Sequence, residues 1–182
     1  GVVMFEQILD KDENIVETFK PNKFRLFMGN FIGSLFLFAF AIVICCLGFF
    51  IPDEMGNTLD PIWLLIPFGV YLVYLGLMFL FLSLWYNKTF YAFTNKRIII
   101  RTGIIGVDFK ALDLKMIGAV DVNVSLMDKI VGKNTGTLRF GSMSSPMSVP
   151  AGSQSLYAFA YIQNPYEIYK KVKEAIEQSK NQ

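Results

Sequence analysis

The stretch YAFTNKRIIIRTGIIG, Tyr91–Gly106, decides how the whole chain is read. Tyr91 and Phe93 alternate with Phe90, Ala92 and Thr94, the pattern of a half-buried strand whose two faces differ. Asn95-Lys96 supplies a polar turn. In Arg97–Thr102, Ile98 and Ile100 share one face while Arg97, Ile99 and Arg101 share the other. Gly103 and Gly106 then mark a second reversal. The stretch reads as strand, turn, strand, and it begins just after an apolar run long enough to cross a bilayer.

The chain leans towards the membrane. Its 182 residues are 53% hydrophobic and 18% charged, with mean hydropathy +0.43. Soluble domains are about 45–50% apolar and about 25% charged. The excess is concentrated in two places, since no charged residue occurs between Arg25 and Asp53 or between Asp60 and Lys88. Roughly 20 apolar residues cross a hydrocarbon core. Two transmembrane helices are therefore expected at 27–51 and 62–86, joined by a short acidic loop at 52–61. The first run is not read as a cleavable signal, because a charge-rich segment precedes it and no small-residue cleavage site follows. Residues 1–3, which precede Met4, carry no assigned role.

Trp63 and Trp85 bracket the second run as interfacial anchors do. Gly29 and Gly33 form a GxxxG in the first, a pattern that lets helices approach closely. Neither run holds a charged residue, which disfavours a pump or an ion pathway. Cys45 and Cys46 are vicinal within the first run and read as packing residues, not as a disulfide framework or a metal site.

Basic residues set the expected orientation. Lys11, Lys20, Lys23 and Arg25 precede the first run, and Lys88, Lys96, Arg97 and Arg101 follow the second. The loop between holds Asp53, Glu54 and Asp60 but no Lys or Arg. The positive-inside rule then puts both termini in the cytoplasm. Residues 86–182 carry 13 Lys and Arg against 7 Asp and Glu, a net +6 that an anionic leaflet attracts.

Three segments are expected: an N-terminal cytoplasmic stretch at 1–26, the hairpin at 27–86, and a cytoplasmic domain at 87–182. The first reads either as a short strand or as an interfacial helix ending before Pro21. After Thr102, strand-like runs recur near 107–112, 117–124, 137–140, 146–149 and 156–162, making seven in all with the opening pair. Short strands separated by turn signals argue for an antiparallel sandwich or barrel. SLMDKIVG, 125–132, has helical spacing and a terminal glycine. At the end, Asn164 caps, Pro165 suits the first helical position, and Glu167 faces the free amides. Ile168, Tyr169, Val172, Ala175 and Ile176 form one apolar stripe, which should close over the strands.

The order of seven strands and a C-terminal helix is similar to the pleckstrin-homology (PH) arrangement. YAFTNKRIIIRTGIIG (91–106), VDVNVSLMDKIVGKNTGTLRF (120–140) and NPYEIYKKVKEAI (164–176) resemble bacterial membrane-anchored PH-like domains. The first matches an aromatic-x-Leu-Thr-x-x-Arg strand turn, with Phe93 in the Leu position. The second matches a strand, short helix and Gly-Thr return strand, and the third an Asn-Pro helix start. The resemblance implies an α+β fold: a two-helix transmembrane hairpin, then a seven-strand antiparallel sandwich with a capping helix. It places the chain in the bacterial cytoplasmic membrane as a multi-pass protein. It further implies self-assembly, association with other membrane or envelope proteins, and, for some two-span members, roles in envelope stress or in protection against membrane-active peptides and bacteriocins.

No catalytic constellation stands out. The chain has no histidine, which removes Ser-His-Asp and Cys-His machinery and most zinc sites. GKNTGT, 132–137, lacks the first glycine and the hydroxyl of a phosphate loop and reads as a turn. The serines of 141–155 have no activating partner in view. No cofactor, metal or nucleic acid is expected. The basic residues Lys96, Arg97, Arg101, Lys110 and Lys115 are the candidate contacts to lipid phosphates. The leading expectation is a non-enzymatic scaffold; the competing one is a sensor of anionic headgroups.

Overall fold

The computed structural model describes residues 5, 8–50, 62, 65–132, 134–143 and 157–180, with the backbone alone at 48–50. The chain divides into two compact units. One comprises residues 1–26 with 84–182, the other residues 27–83.

The first unit holds seven antiparallel strands among its described residues. β1 (Ile15–Phe19), β2 (Phe90–Thr94), β3 (Arg97–Thr102) and β4 (Asp108–Asp113) form one sheet in that order. β5 (Ile117–Asn123), β6 (Thr135–Ser142) and β7 (Tyr157–Gln163) form the other. A 3-10 turn at Leu114–Met116 joins the sheets, and α3 (Leu126–Ile130) lies between β5 and β6. α4 (Pro165–Lys180) follows β7. The fold is the α+β, PH-like arrangement that the strand pattern implied.

One strand comes from the N-terminal stretch, where either a short strand or an interfacial helix was expected. β1 precedes both apolar helices, yet it pairs with β2, Phe19 opposite Tyr91 and Thr18 opposite Ala92. The N-terminal stretch is thus an edge strand of the sheet, and the helical hairpin is spliced into the connection between two neighbouring strands. The strand expected at 146–149 lies outside the described residues.

The period-two patterns place the core. Tyr91, Phe93, Ile98 and Ile100 face inward and meet Leu138, Phe140, Phe159 and Ile162 of the second sheet. Phe159 is the hub: its ring stacks on Tyr91 at 5.0 Å and meets Phe140 edge-on at 4.9 Å. The other face of the first sheet is also covered. Ala92 and Ile99 are buried there with Phe5, and Ile8, Leu9 and Ile15 pack around them. α4 puts Ile168, Val172 and Ile176 on the main core. Gly136 lets its start come close, since a Cβ there would lie 2.9 Å from the Pro165 ring.

The second unit is built from α1 (Lys23–Phe50) and α2 (Leu65–Lys88), whose stretches within 27–83 pack on each other. Both helices are long and apolar enough to cross a membrane. Phe38 stacks on Tyr71 at 4.1 Å, Phe27 on Phe79 at 5.8 Å, and the Ser34 and Tyr71 hydroxyls share a hydrogen bond of 3.0 Å. A Cβ at Gly33 would meet no atom, so that glycine is not where the two helices touch. Most remaining side chains, Phe36 and Val73 among them, are exposed apolar surface.

Candidate functional site

The polar chemistry of the strand unit gathers in two buried clusters and around the ends of the long helices. At the start of α1, the Asn22 side-chain oxygen accepts from the Arg25 amide at 2.8 Å, as an N-cap does. The Asn22 amide donates to the Tyr161 carbonyl at 2.7 Å, and its side chain donates to Gln163 at 2.9 Å. Tyr161 sits beside a bulge in the β6–β7 ladder with φ +55°, a left-handed conformation that a bulky residue rarely adopts. Bulges re-aim side chains; here the Tyr161 ring lies under the Arg25 guanidinium at 4.8 Å.

Arg25 is itself buried and pairs with buried Asp128 of α3 at 2.6 Å. Asp128 also closes a capping box with Ser125, and the Thr135 hydroxyl donates to it at 3.1 Å. Gly132 permits this, because a Cβ there would overlap the Thr135 hydroxyl. The glycine-rich turn therefore serves a carboxylate of its own chain.

A second buried carboxylate, Glu13, accepts from Thr94 at 2.7 Å and from Arg97 at 3.0 and 2.8 Å. Arg97 also donates to the Ile8 carbonyl at 2.7 Å. This clip holds the N-terminal segment over the sheet, and it engages Arg97 within the fold.

Both carboxyl groups lie below their ordinary range. Burial acts to raise each. It is outweighed at Glu13 by hydrogen bonds from Arg97, Thr94 and the Asp10 amide, and at Asp128 by those from the Ser125 hydroxyl and amide and from Arg25. A carboxyl depressed on folding binds protons more readily when unfolded, so its contribution is complete above the unfolded value, near pH 4, and vanishes as pH falls through the folded one. The unfolding midpoint of the chain in detergent should hold from neutral pH to about pH 5 and drop below about pH 4. The Glu13→Gln, Asp128→Asn double variant should be less stable at neutral pH with a shallower acid limb. An unchanged acid limb would mean that other groups control it.

The five candidate lipid contacts do not form one face. Arg101 lies opposite Phe109, whereas Lys110 lies opposite inward-facing Ile100, so the register puts these two on opposite faces of the sheet. Lys96, Arg97 and Lys115 stand at the turn end of the β2–β3 hairpin, where the Lys96 carbonyl accepts from the Leu114 amide. At about 3.3 Å per residue, that end is some 15 Å along β2 from its start. Arg101 is at the other end, 5.6 Å over the Phe90 ring. Two cations that the strand reading did not select stand nearby. Lys20 lies 4.3 Å over Tyr86 and 4.5 Å over Phe90, and Lys88 ends α2. Burial and the neighbouring Lys23 charge lower the pKa of Lys20. Trp85 is half-buried one turn before that end; Trp63 is outside the described residues. Lys-aromatic spacing around residues 85–90 was the available signal, and it was masked by the change of period from helix to strand.

Among the described residues, no buried side-chain nitrogen or oxygen lacks a hydrogen-bond partner, and no cluster of acidic and sulfur groups suits a metal ion. A family model described as bacterial PH domain matches residues 32–176, most of the chain. No curated protein and no solved structure matches.

Proposed function

We propose that this chain, which belongs to the bacterial PH domain family, is a non-catalytic interaction module anchored in the cytoplasmic membrane by α1 and α2. The observation that carries this reading is the fate of the buried and half-buried charged groups. Glu13, Arg97, Arg25 and Asp128 are all consumed by contacts within the fold, so none is poised for proton transfer or nucleophilic attack on a substrate. The exposed residues include apolar ones such as Ile105 and basic ones such as Lys110, which suit binding. Affinity purification from native membranes should recover co-purifying membrane or envelope proteins. Recovery of lipid alone would count against the module reading.

In this reading both termini lie in the cytoplasm and the acidic loop outside, which the distribution of Lys and Arg supports. With Cys45 and Cys46 replaced by alanine, an impermeant maleimide added to whole cells should label Asn57→Cys and spare Asn95→Cys. The reverse pattern would invert the topology.

Self-association is part of the proposal. Gly33 leaves an open notch on α1, and confinement in a bilayer raises the effective concentration of weak contacts. Gly29 is the other glycine of the same motif. The edge near 143–149 is the other candidate contact, and beyond Met143 it lies outside the described residues. The solubilised protein should have a mass that is a multiple of 20.7 kDa at several dilutions and in nanodiscs. A single-chain mass throughout would shift weight to a second reading, a sensor of anionic headgroups. That reading is favoured by Lys20, Lys88 and Arg101 around the aromatic residues at the end of α2. Envelope stress and protection against membrane-active peptides are the physiological roles the family resemblance implies, and a deletion strain should be more sensitive to such peptides.

A further inference from the structure

The β3–β4 connection ends in an apolar tip. Ile104, Ile105 and Val107 are all exposed, and Ile105 is 92% exposed. A single exposed isoleucine is ordinary. Three apolar residues gathered on one loop, around a glycine and with no polar side chain among them, form a small contiguous apolar patch led by Ile105.

The loop has a fixed position relative to the end of α2. The Lys88 ammonium donates to the Ile105 carbonyl at 2.6 Å. Lys88 is the last residue of α2 and comes one turn after Trp85 and Tyr86. Trp, Tyr and Lys at the end of a membrane-crossing helix sit at headgroup depth, the lysine stem along the apolar boundary and the ammonium in the polar layer. A lysine side chain reaches only a few ångströms, so the Ile105 backbone is held within that reach of the headgroups. The Lys88 bond also satisfies a carbonyl that would otherwise carry its polarity into the interface. Arg101, at the end of β3 just before the loop, lies over Phe90 and adds a cation beside the same boundary.

We infer that the Ile104–Val107 tip dips into the headgroup–acyl boundary of the bilayer that α1 and α2 cross. This rests on the membrane-anchored reading above. The occupant of the apolar surface is lipid, not a protein partner, because the contact that holds the tip is made by the helix end itself.

Full-length protein lacking Cys45 and Cys46 is placed in nanodiscs of phosphatidylethanolamine and phosphatidylglycerol. An environment-sensitive nitrobenzoxadiazole probe is attached in turn at Ile105→Cys, Leu77→Cys in the middle of α2, and Asp121→Cys on exposed β5. The expected result is loss of emission at 105 with lipids spin-labelled near the headgroup, loss at 77 with lipids labelled deep in the chain, and loss at 121 only with aqueous iodide. Quenching at 77 by lipid while 105 responds only to iodide would overturn the dipping tip and leave the anchor intact. Iodide quenching at 77 would overturn the anchored reading, and the tip with it.

Discussion

Replacing Val172 with Asp is expected to unfold the strand unit or to cost it several kcal/mol, the cost of burying an unpaired charge. Val172 is fully buried in the middle of α4, with Ile168 one turn before and Ile176 one turn after on the same stripe. That stripe rests on the cluster containing Tyr91, Leu138, Phe140 and Phe159, so a carboxylate there would sit among apolar side chains. The new side chain must either stay neutral against its ordinary pKa or pull α4 off the sheets. Either way the loss is a large share of a domain stability of about 5–15 kcal/mol. Lys173→Asp, one position along on the exposed face, should change stability by no more than about 0.5 kcal/mol. The measurement is thermal or denaturant unfolding of the full chain in detergent, followed by circular dichroism of the strands. A fragment starting at residue 87 would be a poor substrate, because it lacks β1 and the Glu13 clip. Equal melting of Val172→Asp and the unmodified chain would mean that α4 does not close the core.

Asp128→Ala is expected to be the most damaging polar substitution, at about 3–5 kcal/mol, the range for breaking one side of a buried ion pair. The change leaves the Arg25 guanidinium, whose side chain is 8% exposed, without its carboxylate. It also removes the capping box of α3 and the acceptor for Thr135. Arg25→Met should cost less, because Asp128 keeps its hydrogen bonds from Ser125 and Thr135. The double variant Arg25→Met, Asp128→Leu should recover much of the loss, as apolar replacement of a buried pair often does. In a cycle of Arg25→Met, Asp128→Leu and that double variant, single changes that simply add would show that the residues do not act together.

These two substitutions probe different kinds of information. The α4 stripe, its Asn164-Pro165 start and the alternation of Tyr91 and Phe93 are local patterns, repeated every few residues and set by backbone geometry. They were legible because a helix or a strand that buries one face must write that face into its sequence at a fixed period. The two apolar helices were legible for a still simpler reason, since only length and the lack of charge are needed.

Six of the expected strands stand near their predicted places, the one at 146–149 lies outside the described residues, and β1 joins them from the N-terminal stretch. Ile15–Phe19 alternates too, but the run is short and a bilayer-length helix separates it from the strand it joins. No local signal says that Phe19 lies opposite Tyr91. The register of β3 on β4 likewise put Arg101 and Lys110, grouped as candidate lipid contacts, on opposite faces, because the second strand's offset is not written in the first.

The sequence by itself determined the elements: two membrane-length helices, the period-two strands and the amphipathic closing helix. Only the tertiary structure decided how the charges are used. Arg97 meets Glu13 across 84 residues and Arg25 meets Asp128 across 103, so each looked like a free basic residue in its own neighbourhood. Desolvation makes a buried charge tolerable only beside its partner, and that partner is fixed by the fold, not by proximity in the chain.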